Sequence, residues 1–247
     1  MNVAIVTGAS SGVGQGVTNE LLSTGWKVYG LSRRQPEFKN DNFIWIKCDL
    51  SVGEFIPEAL NEVQETKIDL LISNAGVAFN EFATEVTSQS YEDIFSVNVL
   101  APMLIMKALS GKLEQSLIIS ISSVSDRLVE KDFALYCASK AANTKYFEAL
   151  ADELVNAKII TLLPDYIDTP MLRNLVDGDE FDWDAAIKVE DFVQMIMETI
   201  NGKIDVVSSS NIIVVTDGLL DDLKSREKLF GYNVDTKKLI NINKQLS

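Results

Sequence analysis

The chain has 247 residues, 47% of them apolar and 23% charged, enough to bury the core of one α/β domain. Its net charge of −14 argues against non-specific nucleic-acid binding, which needs a basic footprint. The absence of histidine removes Ser-His-Asp hydrolysis, Cys-His chemistry and His-ligated metals, leaving Tyr, Lys, Asp, Glu or Cys for any proton transfer. In chain order, Asn2–Gly8 reads as a buried strand that opens into a glycine-rich turn and a helix near Gly14–Leu22. Trp26–Ser32 and Phe43–Asp49 are further strands, and Ile68–Gly76 follows a short helix near Ala59–Gln64. A long helix is expected from about Tyr91 to Leu109, then the strand Ser116–Ser123 and a helix through Tyr136 to about Leu154. Lys158–Pro164 and Ser210–Gly218 supply the last two strands. Apolar runs separated by helical patterns imply right-handed crossovers. The expectation is a doubly wound Rossmann-type α/β fold, with about seven parallel strands and helices on both faces.

No stretch reaches the ~20 apolar residues of a membrane span, and a first strand starting at Asn2 leaves no room for a leader. Cytoplasm is therefore the expected compartment, with no membrane partner. Cys48 and Cys137 have no neighbours at metal-ligand spacing and are expected to be reduced thiols, so no metal is anticipated. Residues 1–218 read as one catalytic domain. The tail, 219–247, carries six Lys/Arg against four Asp/Glu; a docked or oligomer-building extension and a solvated one are both open.

Two motifs carry chemistry. In Tyr136-Cys137-Ala138-Ser139-Lys140, Tyr136 and Lys140 lie one helical turn apart on one face. An ammonium beside a phenol favours the phenolate, so Tyr136 could exchange a proton nearer neutral pH. In Thr7-Gly8-Ala9-Ser10-Ser11-Gly12-Val13-Gly14, glycines let a pyrophosphate approach the start of a helix, where free N–H groups and the positive dipole end face it. At the end of the second strand stand Ser32, Arg33 and Arg34, without a carboxylate to take the ribose hydroxyls of NAD. A basic pair there favours the extra phosphate of NADP(H) over NAD(H).

Together these residues resemble the short-chain dehydrogenase/reductase family, from Val3 to about Gly218. The turn matches TGxxxGxG, and Ser73-Asn74-Ala75-Gly76 resembles the family's NNAG. The resemblance implies that Gly8, Ser10, Ser11, Gly12, Val13 and Gly14 cradle the phosphates, that Asp49 and Leu50 meet the adenine, and that Asn74, Ala75 and Gly76 line the cofactor. Ile167 and Thr169 would contact the nicotinamide carboxamide and the phosphates. Tyr136 would protonate a substrate oxygen held by Ser123, with Ser122 as the register alternative. Lys140 would lower the Tyr136 pKa and hold the nicotinamide ribose, while Asn98 would hold a water relaying protons to Lys140. The implied reaction is hydride transfer between NADP(H) and a carbonyl or alcohol. Alternatives are reduction of a sugar- or polyketide-type intermediate, and a dinucleotide-sensing scaffold with little turnover.

Two departures stand out. Pro164-Asp165 replaces the family's Pro-Gly, which brings a carboxylate toward the substrate side. The usual Asp-Gly-Gly ending appears only as Thr216-Asp217-Gly218 and then runs on, putting the family's tetramer in doubt. A homodimer through the Tyr91 and Tyr136 helices is the expected assembly. Between Pro170 and Val189 an acidic, aromatic segment is expected to form a lid. It includes Asp177, Asp179, Glu180, Phe181, Asp182, Trp183 and Asp184.

Overall fold

The computed structural model describes residues 1–176, 178, 181–204, 206–215 and 229–241. Thr216-Asp217-Gly218, the boundary at 218/219, Asp177, Asp179, Glu180 and the remainder of the tail lie outside the described residues.

A single sheet organises the chain. Its strands are β1 (Val3–Thr7), β2 (Lys27–Ser32), β3 (Phe43–Lys47), β4 (Leu70–Ser73), β5 (Leu117–Ile121), β6 (Lys158–Pro164), β7 (Ser210–Val215), β8 (Leu229–Asn233) and β9 (Lys238–Asn241). They stand in the order β3-β2-β1-β4-β5-β6-β7-β8-β9. The pairs from β1 to β8 are parallel and only β8–β9 is antiparallel. The seven anticipated strands are therefore joined by two more, in the tail that the sequence left undefined.

Alternation along β1 shows why the sheet is buried on both sides. Ala4 and Val6 face one core with α1 (Gly12–Ser23) and α7 (Val189–Ile200), where Val17, Leu21, Phe192 and Ile196 pack. Val3 and Ile5 face the other, with α2 (Phe55–Leu60), α4 (Ala101–Leu109) and α5 (Ala134–Glu153). The helix α2 starts four residues earlier than expected, because Ile56 and Leu60 are the residues that reach the core.

The long helix expected over Tyr91–Leu109 is present, with a π turn inside it. It runs as α3 (Ser88–Phe95), a π turn over Ser96–Leu100, and α4. Pro102 accounts for the turn: it lacks the N–H that would bond the Asn98 carbonyl in a regular helix. By length and composition the run Ser88–Lys112 does qualify as a membrane span, with mean hydropathy 1.6. Its Ala101, Ile105, Met106 and Leu109 lie in the second core.

The strand order reverses between β1 and β4, so the connections diverge there and leave a crevice beyond the strand ends.

Candidate active site

A cavity of about 760 Å³ fills that crevice, running from the β1–α1 turn to the segments after β5 and β6. Its first end is built by glycine. Gly8 (φ 71°) and Gly12 (φ 53°) occupy left-handed backbone. A Cβ on Gly14 would lie 2.3 Å from the Gly8 carbonyl oxygen, so the turn can close on α1 only without side chains. Ser11 is the N-cap of α1, yet its hydroxyl makes no capping bond and no acid stands in the first turn. The helix start thus offers uncompensated N–H groups and a positive dipole end to an anion.

Thr7 joins this turn to β4. Its hydroxyl accepts from the N–H groups of Asn74 and Ala75, both at 2.9 Å, and the Asn74 amide donates to the Thr7 carbonyl at 2.8 Å. The sequence shows Thr7 only as the residue before the first glycine and says nothing of this strut. Thr169 closes the turn from above, since a Cβ on Gly12 would meet its methyl at 3.4 Å. Ile167, two residues earlier, is bridged to Ile187. Arg33 and Arg34 are exposed at the end of β2, and Asp49 and Leu50 lie beside them on the same wall.

At the cavity's middle, Ser123, Tyr136 and Lys140 converge. Ser123 caps a single 3₁₀ turn over Val124–Asp126, accepting from the Ser125 N–H at 3.1 Å. Its hydroxyl donates to the Ser125 hydroxyl at 3.0 Å and lies near enough to the Tyr136 phenol to favour its ionised form. Ser122, which also lines the cavity, has its hydroxyl engaged, donating to the Lys140 carbonyl at 3.2 Å and accepting from Thr144 at 2.8 Å. Lys140 is 6% exposed and donates to the Ile121 carbonyl at 3.2 Å. Its ammonium lies 5.6 Å from the centre of the Tyr136 ring.

The electrostatics differ from the sequence expectation. Burial pushes the Tyr136 phenol up to about 12; the Ser123 hydroxyl opposes this, and the charges of Cys137 and Glu130 add to it. Burial also pulls Lys140 down to about 8. Desolvation of each group thus outweighs any pull of the ammonium on the phenol.

Asn98 and Gly14 stand outside the cavity wall. The Asn98 amide donates to the Val77 carbonyl at 2.9 Å and to Ser139 at 3.0 Å, and its oxygen accepts from the Val77 N–H at 2.9 Å. Its main-chain carbonyl, freed by Pro102, accepts from Asn143 at 2.9 Å. The side chain is therefore spent on fixing the irregular segment that follows Gly76, and the water relay expected of it has only that carbonyl to use. All the other anticipated cofactor and catalytic residues line the cavity.

Cys48 and Cys137 are buried free thiols, and Cys48 is raised to about 11 by its burial. Among the described residues no group of three potential ligands could hold a metal ion.

A family model described as short chain dehydrogenase matches residues 2–180. The chain belongs to the short-chain dehydrogenases. Among similar members of this oxidoreductase family is the farnesol dehydrogenase of Aedes aegypti, 30% identical, over 79% of this chain and 88% of that one. The L-xylulose reductase of Bos taurus is also 30% identical, over 68% and 72%. A short chain dehydrogenase from Burkholderia cenocepacia, solved in complex with NADP, superposes with a TM-score of 0.74 at 26% identity, over 86% of this chain and 87% of that one. A 3-ketoacyl-(acyl-carrier-protein) reductase from Brucella melitensis, complexed with NADH, gives 0.77 at 22% identity, over 86% and 96%. Those two proteins were solved with NADP and with NADH respectively, and the glycine cradle here fits a dinucleotide's pyrophosphate.

Proposed function

We propose that this short-chain dehydrogenase reduces a carbonyl compound with NADPH, or oxidises the corresponding alcohol in reverse. The observation that carries the reading is the meeting of Ser123, Tyr136 and Lys140 midway along a cavity whose far end is the glycine turn. Gly8, Ser10, Ser11, Gly12 and Val13 would hold the phosphates, with Gly14 closing the turn beneath them. Asp49, Leu50, Asn74, Ala75, Gly76, Ile167 and Thr169 would line the rest of the dinucleotide. When bound, it supplies or accepts the hydride.

The remaining chemistry belongs to the chain. Ser123 holds the substrate oxygen and Tyr136 gives it the phenolic proton as it becomes a hydroxyl. A phenol near 12 is fully protonated at neutral pH and ready to donate. Lys140, about 8, is mostly charged there and steadies the tyrosinate left behind. Asn98 acts as a positioning residue through Val77 and Ser139.

Arg33 and Arg34 favour NADPH because a 2′-phosphate would meet two guanidinium groups and no carboxylate. A cytoplasmic homodimer belongs to the same reading: the two thiols are free, and Tyr91, 49% exposed, stacks on Phe95 along the helix expected to pair.

The test is a fluorescence titration of NADPH and NADH against the native protein and Arg33→Asp. Tight NADPH binding that Arg33→Asp weakens relative to NADH supports the assignment. A native preference for NADH overturns the arginine reading, and binding of neither overturns the enzyme.

A further inference from the structure

Beyond Tyr136 the cavity leaves the cofactor side and is walled by Phe79, Leu128, Phe133 and Tyr166. Two carboxylates interrupt this apolar wall. Asp165 is the first residue after β6, at the position where the sequence departs from the family's glycine. Glu130 comes from the segment between the 3₁₀ turn and α5.

Both stand on fixed backbone. The Asp165 N–H bonds the Val214 carbonyl at 2.9 Å, and the Phe133 N–H bonds the Glu130 carbonyl at 3.3 Å. The Glu130 segment is also pinned by the Glu81 N–H, which bonds the Asp132 carbonyl at 2.8 Å. Burial first, and then the charge of Asp165, raises Glu130, while burial alone raises Asp165.

The basic residues nearby are committed elsewhere. Arg127 pairs with Asp126 and Glu148. Arg173 forks onto Asp168 at 2.6 and 2.7 Å and stacks over Trp183. Lys131 lies over the Phe82 ring, and Lys140 donates to Ile121. Among the described residues neither Glu130 nor Asp165 has a hydrogen bond or ion pair to its carboxylate. Two partly desolvated carboxylates without donors are a cost that an incoming donor relieves and an incoming anion compounds.

We infer that Glu130 and Asp165 determine substrate specificity in this cavity, selecting a carbonyl compound with hydrogen-bond donors (hydroxyls or an ammonium) beside the carbonyl and rejecting one with an anionic group there. The inference rests on the carbonyl-reductase reading for the identity of the reacting group, and on the carboxylates alone for what surrounds it.

The test uses four aryl ketones of similar size: 2-hydroxyacetophenone, 2-aminoacetophenone, propiophenone and 3-oxo-3-phenylpropanoate. Each is assayed for kcat/KM with NADPH, and titrated by calorimetry into the NADP-loaded protein. The native protein and the Glu130→Gln, Asp165→Asn and double variants are compared. Relative to propiophenone, the double variant is expected to lose about tenfold on the hydroxyketone, the scale of one charge-assisted hydrogen bond. It loses more on the aminoketone if an ammonium is the natural donor, and gains on the anionic ketone. The single variants guard against misfolding of the double. An unchanged order of the four ketones overturns the specificity assignment while turnover keeps the reductase. Selective binding that the variants abolish, without turnover of any ketone, keeps the assignment and overturns the reductase.

Discussion

Burial disfavours the charged form of both Tyr136 and Lys140, and this sets two expectations at the level of single residues. Tyr136→Phe removes only the oxygen that exchanges a proton, so turnover should fall by about 10²–10⁴-fold with unchanged NADPH affinity. Activity retained in that variant would assign the proton to another group. For Lys140, a pKa near 8 in place of 10.5 means about 3 kcal/mol lost to native stability while the ammonium is charged. Below pH 8 that loss is complete. Between 8 and 10.5 the native state sheds its proton before the unfolded chain does, so stability rises with pH, and above 10.5 the loss is gone. Lys140→Met should accordingly melt above the native protein at pH 7, inactive, with a gap that closes as the pH approaches 10.5. Tyr136, whose raised pKa has the opposite sign between 10 and 12, is present in both proteins and cancels from the difference. A gap independent of pH would refute the buried charge. The residues of this pair were legible because four-residue spacing fixes a shared helix face. The direction of the tyrosine shift was not, because desolvation depends on how closely β5 and the Ser123 turn enclose the phenol.

Among the elements, the π turn before α4 has the clearest chemistry. Pro102 withholds the N–H that Asn98's carbonyl would otherwise accept, the helix widens into a π turn, and Asn143 reaches from α5 to fill the vacancy. Asn143 is itself held by the Ser120 hydroxyl at 2.9 Å, so one amide ties α5 to β5 and to the turn that positions Asn98. Asn143→Ala leaves a buried carbonyl and a buried hydroxyl without partners, with an expected loss of about 2–4 kcal/mol in urea unfolding. Pro102→Ala restores an N–H four residues beyond Asn98, so the double variant should lose less than the sum of the two single losses. Strict additivity would mean that the proline does not free the carbonyl. The proline was in plain view in the sequence. Its partner was not, since nothing in the spacing of Asn98 and Asn143 announces that two helices meet there. Thr7 was hidden for the same reason: its hydroxyl matters because β4 is its neighbour, and strand adjacency is a property of the sheet.

For the whole molecule the open question was the tail. The seven strands of the family pattern were legible as apolar runs between helical stretches, whereas Leu229–Asn233 holds a glycine and an asparagine, and Lys238–Asn241 is too short to stand out. Their pairing comes from the edge of β7, which offers β8 a ladder from Asn211 to Val215. The hairpin is then anchored by packing: Tyr232 is 3% exposed in the same core as Phe192 and Ile196, and its hydroxyl donates to Glu198 at 3.2 Å. Val234 joins that core, and Lys237 reaches Gln194 on α7. A solvated extension would tolerate Tyr232→Ala within about 0.5 kcal/mol, as exposed positions do. A hairpin that completes the core should lose about 3–5 kcal/mol, the usual penalty for emptying an aromatic site. Tyr232→Phe separates the two contributions, since it keeps the ring in the core and removes only the bond to Glu198, a loss of about 1 kcal/mol. Denaturant melts of both variants decide the matter. A near-neutral alanine would detach the hairpin from the fold, whereas a large alanine loss with a small phenylalanine loss would make β8 and β9 part of the structure that keeps α7 against the sheet.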